Sequence, residues 1–309
     1  MKNEPIRHHY IPQFILRNFS CDDRGRVWYY DKKKNIASVV EPREIFMEKN
    51  LYRDEINYDN EPTQIEHDLA VYENEVSRIL KEKFLSGRDI IITEEEDAKL
   101  KLFFAIMGIR AKATFDLFGK QLTISSKKYY KYYQKNNNFL DFLKRNLGFA
   151  VKCRSIQEVL NHPQIDEPFR IFLTRDSEGY LGTNFAVVES READAFVIGD
   201  CYPVIITGEP NALLPIPGHI YSIFPISANR TILLMEHSIV RLQQFVRGFR
   251  ECILRQPIYN PDTHTIKIRV KSLYPEEVQF INTLIIENAI EGFVFRKPPM
   301  DYPTLHPKA

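Results

Sequence analysis

The sequence predicts an α+β protein: an N-terminal short helix and β-hairpin, a helical middle, and a C-terminal β-rich region closed by a long helix. Three observations carry this. Residues 26–40, "RVWYYDKKKNIASVV", hold two runs rich in β-branched and aromatic residues around a Lys/Asn turn, the pattern of a hairpin. From Pro62 the apolar residues recur at helical spacing. In the second half, short β-rich runs alternate with Gly, Pro and Asn before one last helical segment. Hairpin, helices, sheet, helix in that order fit segregated α+β layers and not alternating βαβ units. The chain is read as a single integrated domain, 1–309, with sub-regions 1–60, 61–150 and 165–300.

The first element is "PQFILRNF". Pro12 suits the first position of a helix, where a missing N–H is no loss. Ile15 and Phe19 are four apart and Leu16 and Phe19 three apart, so they share one face of a short helix. After the hairpin, "NLYRDE" reads as a short strand or structured loop. In "PTQIEHDLAVYENEVSRIL", Ile65, Leu69, Tyr72, Val76, Ile79 and Leu80 form one apolar stripe. "TEEEDAKLKLFFAIMGIRAKATFDLF" opens with Thr93 and Glu96 at capping-box spacing. Leu100, Phe104, Met107, Ala111 and Phe118 form its expected buried stripe. A third helical segment covers about Ser125 to Arg145. The strands are "TNFAVVES", "AFVIGD", "PVIIT", "YSIFPIS" and "RTILLME", and the last helix is expected from about Pro275 to Gly292.

Composition narrows the function classes. The 309 residues are 44% apolar and 27% charged, typical of a globular chain, with 42 Lys and Arg against 41 Asp and Glu. Cys21, Cys153, Cys201 and Cys252 are scattered, without Cys-x-x-Cys spacing, which argues against a structural zinc site and suits a reducing cytoplasm. The opening "MKNEPIRHHY" lacks the apolar core of a signal peptide, and no stretch has the length of a membrane span. The expectation is a soluble cytoplasmic protein with no membrane partner. There is no Walker motif, no Gly-x-Gly-x-x-Gly, no Gly-x-Ser-x-Gly and no His-Glu-x-x-His. Nucleotide-motor, Rossmann and common esterase readings therefore lose their main support.

The stretch His9-Tyr10-Ile11-Pro12-Gln13-Phe14-Ile15-Leu16-Arg17-Asn18-Phe19 resembles the opening motif of a large bacterial family known only as a domain of unknown function. The likeness continues through "KNLY" (Lys49 to Tyr52), the acid-bearing helix "IEHDLAVYENEV", a helix ending in Arg110, and "GDCYPVI" followed by "FPIS". The family pattern has Ser-Asp shortly before the proline, where this chain has Gly199-Asp200. The resemblance covers about residues 7–290 and implies one shared fold, with no settled chemistry attached.

Several polar residues stand out. Histidine titrates near neutrality, so His8-His9 can supply an acid, a base or a metal ligand. Neighbours in an extended chain point to opposite faces, and His9 occupies the motif position. The alternative is a histidine that merely docks the N-terminal arm. Gln13 and Arg17 follow His9 at four-residue intervals, as secondary candidates on one polar helix edge. Glu66 and Glu73, seven apart, project the same way from the helix flank, either into a cleft or into solvent. Arg110 has apolar neighbours and needs a partner, because an unpaired buried charge is very costly. Glu66, Glu73 or a substrate phosphate would each serve. Asp200 ends a β-run, where it could take a proton, bind a cation or simply cap a turn. Asp200 with Glu66 and Glu73 could bind Mg²⁺.

Residues 125–154 hold eight basic residues against one acid, with four tyrosines interleaved. Lys127, Lys128, Tyr129, Tyr130, Lys131 and Lys135 head this run. Cations for phosphates beside rings for bases are what RNA or single-stranded DNA needs. The alternative is a solvated lysine face. A restriction-type Asp/Glu-x-Lys pattern occurs at Asp97-Ala98-Lys99, inside a predicted helix, and at Asp31-Lys32-Lys33, which a Lys-rich turn explains. The leading expectation is a nucleic-acid-acting hydrolase, nuclease-like, with His9 as general acid or base, Arg110 as phosphate clamp, and Glu66, Glu73 and Asp200 as metal or base candidates. By analogy with the kind of family, it would serve as an effector in bacterial antiphage defence or a toxin system. The competing expectation is a noncatalytic nucleic-acid- or protein-binding module whose same residues form a buried structural network. Convergence on an open cleft marks the first, and mutual enclosure the second.

Overall fold

The structure is a computed structural model that describes residues 7–55, 57–58, 60–110, 139–167, 169–170, 183–191, 196–205, 220–236 and 257–297. It is α+β. The N-terminal strand β1 (Arg7–His9) leads into the short helix α1 (Gln13–Arg17). Pro12 stands just outside α1 as its N-cap, with φ −57° and ψ 132°, one position earlier than its fixed φ suggests. The hairpin is β2 (Val27–Asp31) against β3 (Ile36–Val40), in the register Val27↔Val40 to Asp31↔Ile36. Its turn is built by Asp31, whose Oδ1 accepts from the backbone N–H of Lys33 and of Lys34 at 3.0 Å each. Asn35 takes the left-handed conformation, φ 57°, which asparagine tolerates well. Lys32 donates to the carbonyls of Ile286 and Ala289 at 2.9 and 2.6 Å. The Asp31-Lys32-Lys33 pattern is therefore turn and helix-end chemistry.

A 3₁₀ turn (Pro42–Glu44) precedes β4 (Met47–Lys49), which pairs antiparallel with β1. Helix α2 (Gln64–Ile79) buries Ile65, Leu69, Tyr72, Val76 and Ile79, as its period predicts, and passes into a π-helical turn at Leu80–Phe84. After β5 (Asp89–Thr93), α3 (Glu94–Arg110) starts with the expected capping box. Glu96 N–H donates to Thr93 Oγ1 at 3.2 Å and Thr93 N–H to Glu96 Oε2 at 2.8 Å. Such a cap is worth about 1 kcal/mol.

Helix α3 departs from the single stripe expected of it. Leu100, Leu102, Phe103, Phe104, Ala105, Ile106, Met107 and Ile109 are all buried. The reason is its position between layers. Phe103 meets Phe14 and Tyr72 on one side, while Phe104 meets Phe185 and Phe224 of the sheet on the other. A helix covered on both sides has no polar face to alternate with. Ala111 and Phe118 lie outside the described residues, as does most of the helical segment expected from Ser125.

The later elements are α4 (Phe139–Ala150), α5 (Ile156–Asn161), β6 (Thr183–Ser190), β7 (Ile198–Gly199), β8 (Val204–Ile205), β9 (Ile220–Pro225), β10 (Arg230–Glu236), β11 (Ile258–Asn260), β12 (Thr265–Arg269), β13 (Lys271–Leu273), α6 (Pro275–Asn288) and β14 (Gly292–Phe295). A five-stranded sheet runs β13-β6-β10-β9-β8, a four-stranded one β3-β2-β14-β7, and a three-stranded one β11-β12-β5. Helix α6 stops at Asn288, short of the expected Gly292, because Gly292 opens β14. A Cβ there would lie 2.2 Å from the Tyr30 carbonyl, so only glycine lets β14 approach β2. One apolar cluster draws on residues from Tyr10 to Val294, and a second packs beneath α6. Buried Arg230 donates to the carbonyls of Phe84 and Ser86 at 2.7 and 3.1 Å and to Glu189 at 3.0 Å, sewing the π-helical turn to the five-stranded sheet. Among the described residues, no helix is long and apolar enough to cross a membrane.

Candidate functional site

The polar residues of the N-terminal half meet where β1, α2 and α3 come together. The β1–β4 ladder sets His8 opposite Glu48 and His9 opposite Met47. Strand alternation then turns His8 and Tyr10 inward, at 0% and 1% exposure, and leaves His9 half-buried. His8 Nδ1 accepts from the Tyr52 backbone N–H at 2.8 Å, and the two rings stack with centroids 5.7 Å apart.

Arg110 closes α3 and is 1% exposed. Each guanidinium nitrogen has a partner. Nε donates to the Tyr52 hydroxyl at 3.0 Å, Nη1 to Glu73, and Nη2 to the His9 main-chain carbonyl at 2.6 Å. The guanidinium carbon also sits 5.1 Å from the Tyr52 ring centroid. Burial opposes the Arg110 charge, but Tyr52 and Glu73 outweigh it and hold the group protonated. Burial likewise raises the Tyr52 hydroxyl to about 12, against the pull of Arg110.

Glu73 and Glu66 lie two turns apart on α2, so both reach toward Arg110, but with different outcomes. Glu73 takes the ion pair. At Glu66, burial lifts the carboxyl to about 7 despite the attraction of Arg110, with the Glu73 charge adding to the rise. Glu66 Oε2 is buried with no hydrogen-bond partner. This half-buried acid, its carboxyl raised to about 7, is suited to exchange a proton near neutrality.

His9 enters the cluster through its backbone, while its ring turns to α1. Gln13 Nε2 lies 3.3 Å from His9 Nδ1, and Arg17 Nη2 donates to Gln13 Oε1 at 3.0 Å. The polar edge foreseen from the four-residue spacing is thus a chain of contacts. Burial lowers the His9 pKa, and the nearby charges of Arg110 and Arg17 lower it further. The backbone at Arg43 and Pro42 lies close enough to favour the proton and offsets part of this, although His9 Nε2 makes no hydrogen bond of normal geometry. The ring is therefore held neutral.

Asp200 does not join this cluster. It is 2% exposed, and its oxygens accept from the backbone N–H groups of Ile290 and Glu291 at 2.8 Å each. It fastens the end of β7 to the loop between α6 and β14. Among the described residues no group of three or more His, Cys, Asp and Glu side chains could hold a metal ion, so Asp200, Glu66 and Glu73 do not form the Mg²⁺ cage considered from sequence. Lys127, Lys128, Tyr129, Tyr130, Lys131 and Lys135 lie outside the described residues. A surface depression lined by Lys152, Cys153, Glu158 and His162 contains none of the cluster residues.

Two members were missed by sequence reasoning. Tyr52 sits in the quoted Lys49–Tyr52 stretch but was not singled out, and His8 was set aside in favour of His9. Strand alternation already required one of the two histidines to point inward.

Compared with curated proteins and with solved structures, the chain has no match. Comparison with family models gives one that spans the arm, the helices and the sheets together, residues 7–299, and the chain belongs to that family, described as Protein of unknown function (DUF4238).

Proposed function

We propose that the protein is a hydrolase acting on nucleic acid by general acid–base chemistry, with Glu66 as the proton-exchanging group. The supporting observation is the Glu66 carboxyl: half-buried, raised to about 7, and with one oxygen left unsatisfied. A buried acceptor without a partner costs about 1–3 kcal/mol, a cost that a bound ligand would remove. Arg110 takes a different role from the phosphate clamp expected of it. Enclosed and engaged on all three nitrogens, it positions Glu73 and sets the field at Glu66. The choice of nucleic acid rests on the basic, tyrosine-rich run at 125–154. The test is cleavage of single- and double-stranded RNA and DNA, with Mg²⁺, Mn²⁺ or EDTA, by wild type and Glu66→Gln. Glu66→Gln is expected to fold and lose about 10²-fold or more in rate. No cleavage of any substrate by folded wild type overturns the reading.

The closure around Arg110 favours a second reading, a noncatalytic module that binds nucleic acid or protein and uses the cluster as a structural network. Under it, wild type and Glu66→Gln bind equally well and neither turns over.

A further inference from the structure

The contacts between α1 and the end of β1 fix more than the position of His9. We infer that Gln13, oriented by Arg17, holds the His9 ring in the tautomer protonated on Nε2, so that His9 meets a ligand as a hydrogen-bond donor and not as a base.

The hydrogen-bonding role of Arg17 admits no choice. A guanidinium only donates. The 3.0 Å contact from Arg17 Nη2 therefore selects the oxygen of the Gln13 amide, not its nitrogen. With its oxygen turned to Arg17, Gln13 presents its NH₂ to His9 Nδ1, 3.3 Å away. An amide N–H facing Nδ1 needs a lone pair there. A neutral imidazole carries one N–H, so the proton resides on Nε2. That nitrogen is buried beside the backbone of Arg43 and Pro42, which favours a proton there, although no hydrogen bond of normal geometry forms. The relay is rigidly presented, because α1 is anchored by Ile15 and Leu16, both fully buried. His9, Gln13 and Arg17 succeed one another at four-residue intervals, which stacks the two side chains of α1 along one edge.

The consequence is a division of labour. A neutral imidazole N–H can polarise an acceptor oxygen without transferring its proton, while Glu66 is the group that titrates. The chemistry His9 would recognise is an acceptor oxygen, as on a phosphoryl or carbonyl group. Gln13 is then a positioning residue that acts through His9. This division rests on the acid–base reading given above, but the tautomer itself does not.

The test is the ring ¹⁵N spectrum of the whole protein, correlated to the ring carbon-bound protons. His8 is an internal control, because its Nδ1 accepts from the Tyr52 N–H at 2.8 Å and so also carries its proton on Nε2. In wild type, His9 is expected to show a protonated-type Nε2 and a bare-type Nδ1 signal. Gln13→Glu places an acceptor-only carboxylate beside Nδ1, so the two His9 signals should exchange places while those of His8 stay. Arg17→Glu, which turns the Gln13 amide around, should shift His9 the same way and replaces the first variant if that one does not fold. A wild-type ring protonated on Nδ1, or variants that keep the proton on Nε2, overturn the inference. Failure to cleave nucleic acid would sink the proposed function and leave this result standing.

Discussion

Nη2 of Arg110 donates to the main-chain carbonyl of His9 across 2.6 Å, so the last residue of α3 is fastened to the first strand of the described chain. Because this bond goes to backbone, it constrains where β1 lies whatever the His9 side chain does. The same guanidinium holds Tyr52 and Glu73, so three segments far apart in sequence share one cation.

Removing that cation is expected to be costly. Arg110→Met leaves Glu73 without its partner and the His9 carbonyl and Tyr52 hydroxyl without donors. Breaking a buried pair from one side costs about 3–5 kcal/mol, read as a lower midpoint in urea at unchanged slope. Arg110→Lys should recover only part of this, since an ammonium cannot reproduce the planar fork. A loss below about 1 kcal/mol for Arg110→Met would show that the network contributes little.

Glu66 should give stability a pH dependence. Its carboxyl is raised from 4.5 to about 7, so between these values the folded protein holds a proton that the unfolded chain has released. The stabilising contribution is therefore full below about pH 4.5 and is lost as pH rises through 7. Burial is incomplete, so the expected amplitude is on the order of 1–3 kcal/mol. Glu66→Gln should flatten that part of the profile. Urea melts of both proteins from pH 4.5 to 8 decide it, and parallel curves refute it.

Asp200 is expected to matter locally. Asp200→Ala should cost about 1–3 kcal/mol through the two orphaned backbone donors. It should also speed hydrogen exchange at the amides of Ile290 and Glu291, which it now accepts from at 2.8 Å each. The His9 ring signals should not move. A change in those signals would tie Asp200 to the Arg110 cluster after all.

What the sequence disclosed was whatever depends on local period. The β2–β3 hairpin, the α2 stripe, the Thr93–Glu96 capping box, and β6 and β10 all follow from neighbours within a few residues. The three-residue strands β1 and β4 were not legible, because each is too short for a pattern and exists only through its distant partner. Helix α3 misled for the opposite reason, being apolar all round from Leu102 to Met107. In the site, the seven-residue spacing of Glu66 and Glu73 announced a shared direction. Which of them would take Arg110, and that burial would raise the Glu66 carboxyl to about 7, depended on tertiary packing. Asp200 looked like a cation ligand by its strand-end position, yet the backbone of residues 290–291 had already taken its oxygens.

The place of β14 between β2 and β7 has a consequence for biosynthesis. Trp28 pairs with Phe295 and Tyr30 with Phe293, so the hairpin edge that β14 covers is bare until residues 292–295 have left the ribosome, more than 250 residues after the hairpin itself. Long-range pairing of this kind is slow to form and leaves an edge strand exposed meanwhile. A nascent chain halted before Gly292 would present a Trp- and Tyr-bearing edge with no strand to receive it. Translation arrest or truncation upstream of that point is therefore expected to favour clumping or capture by chaperones.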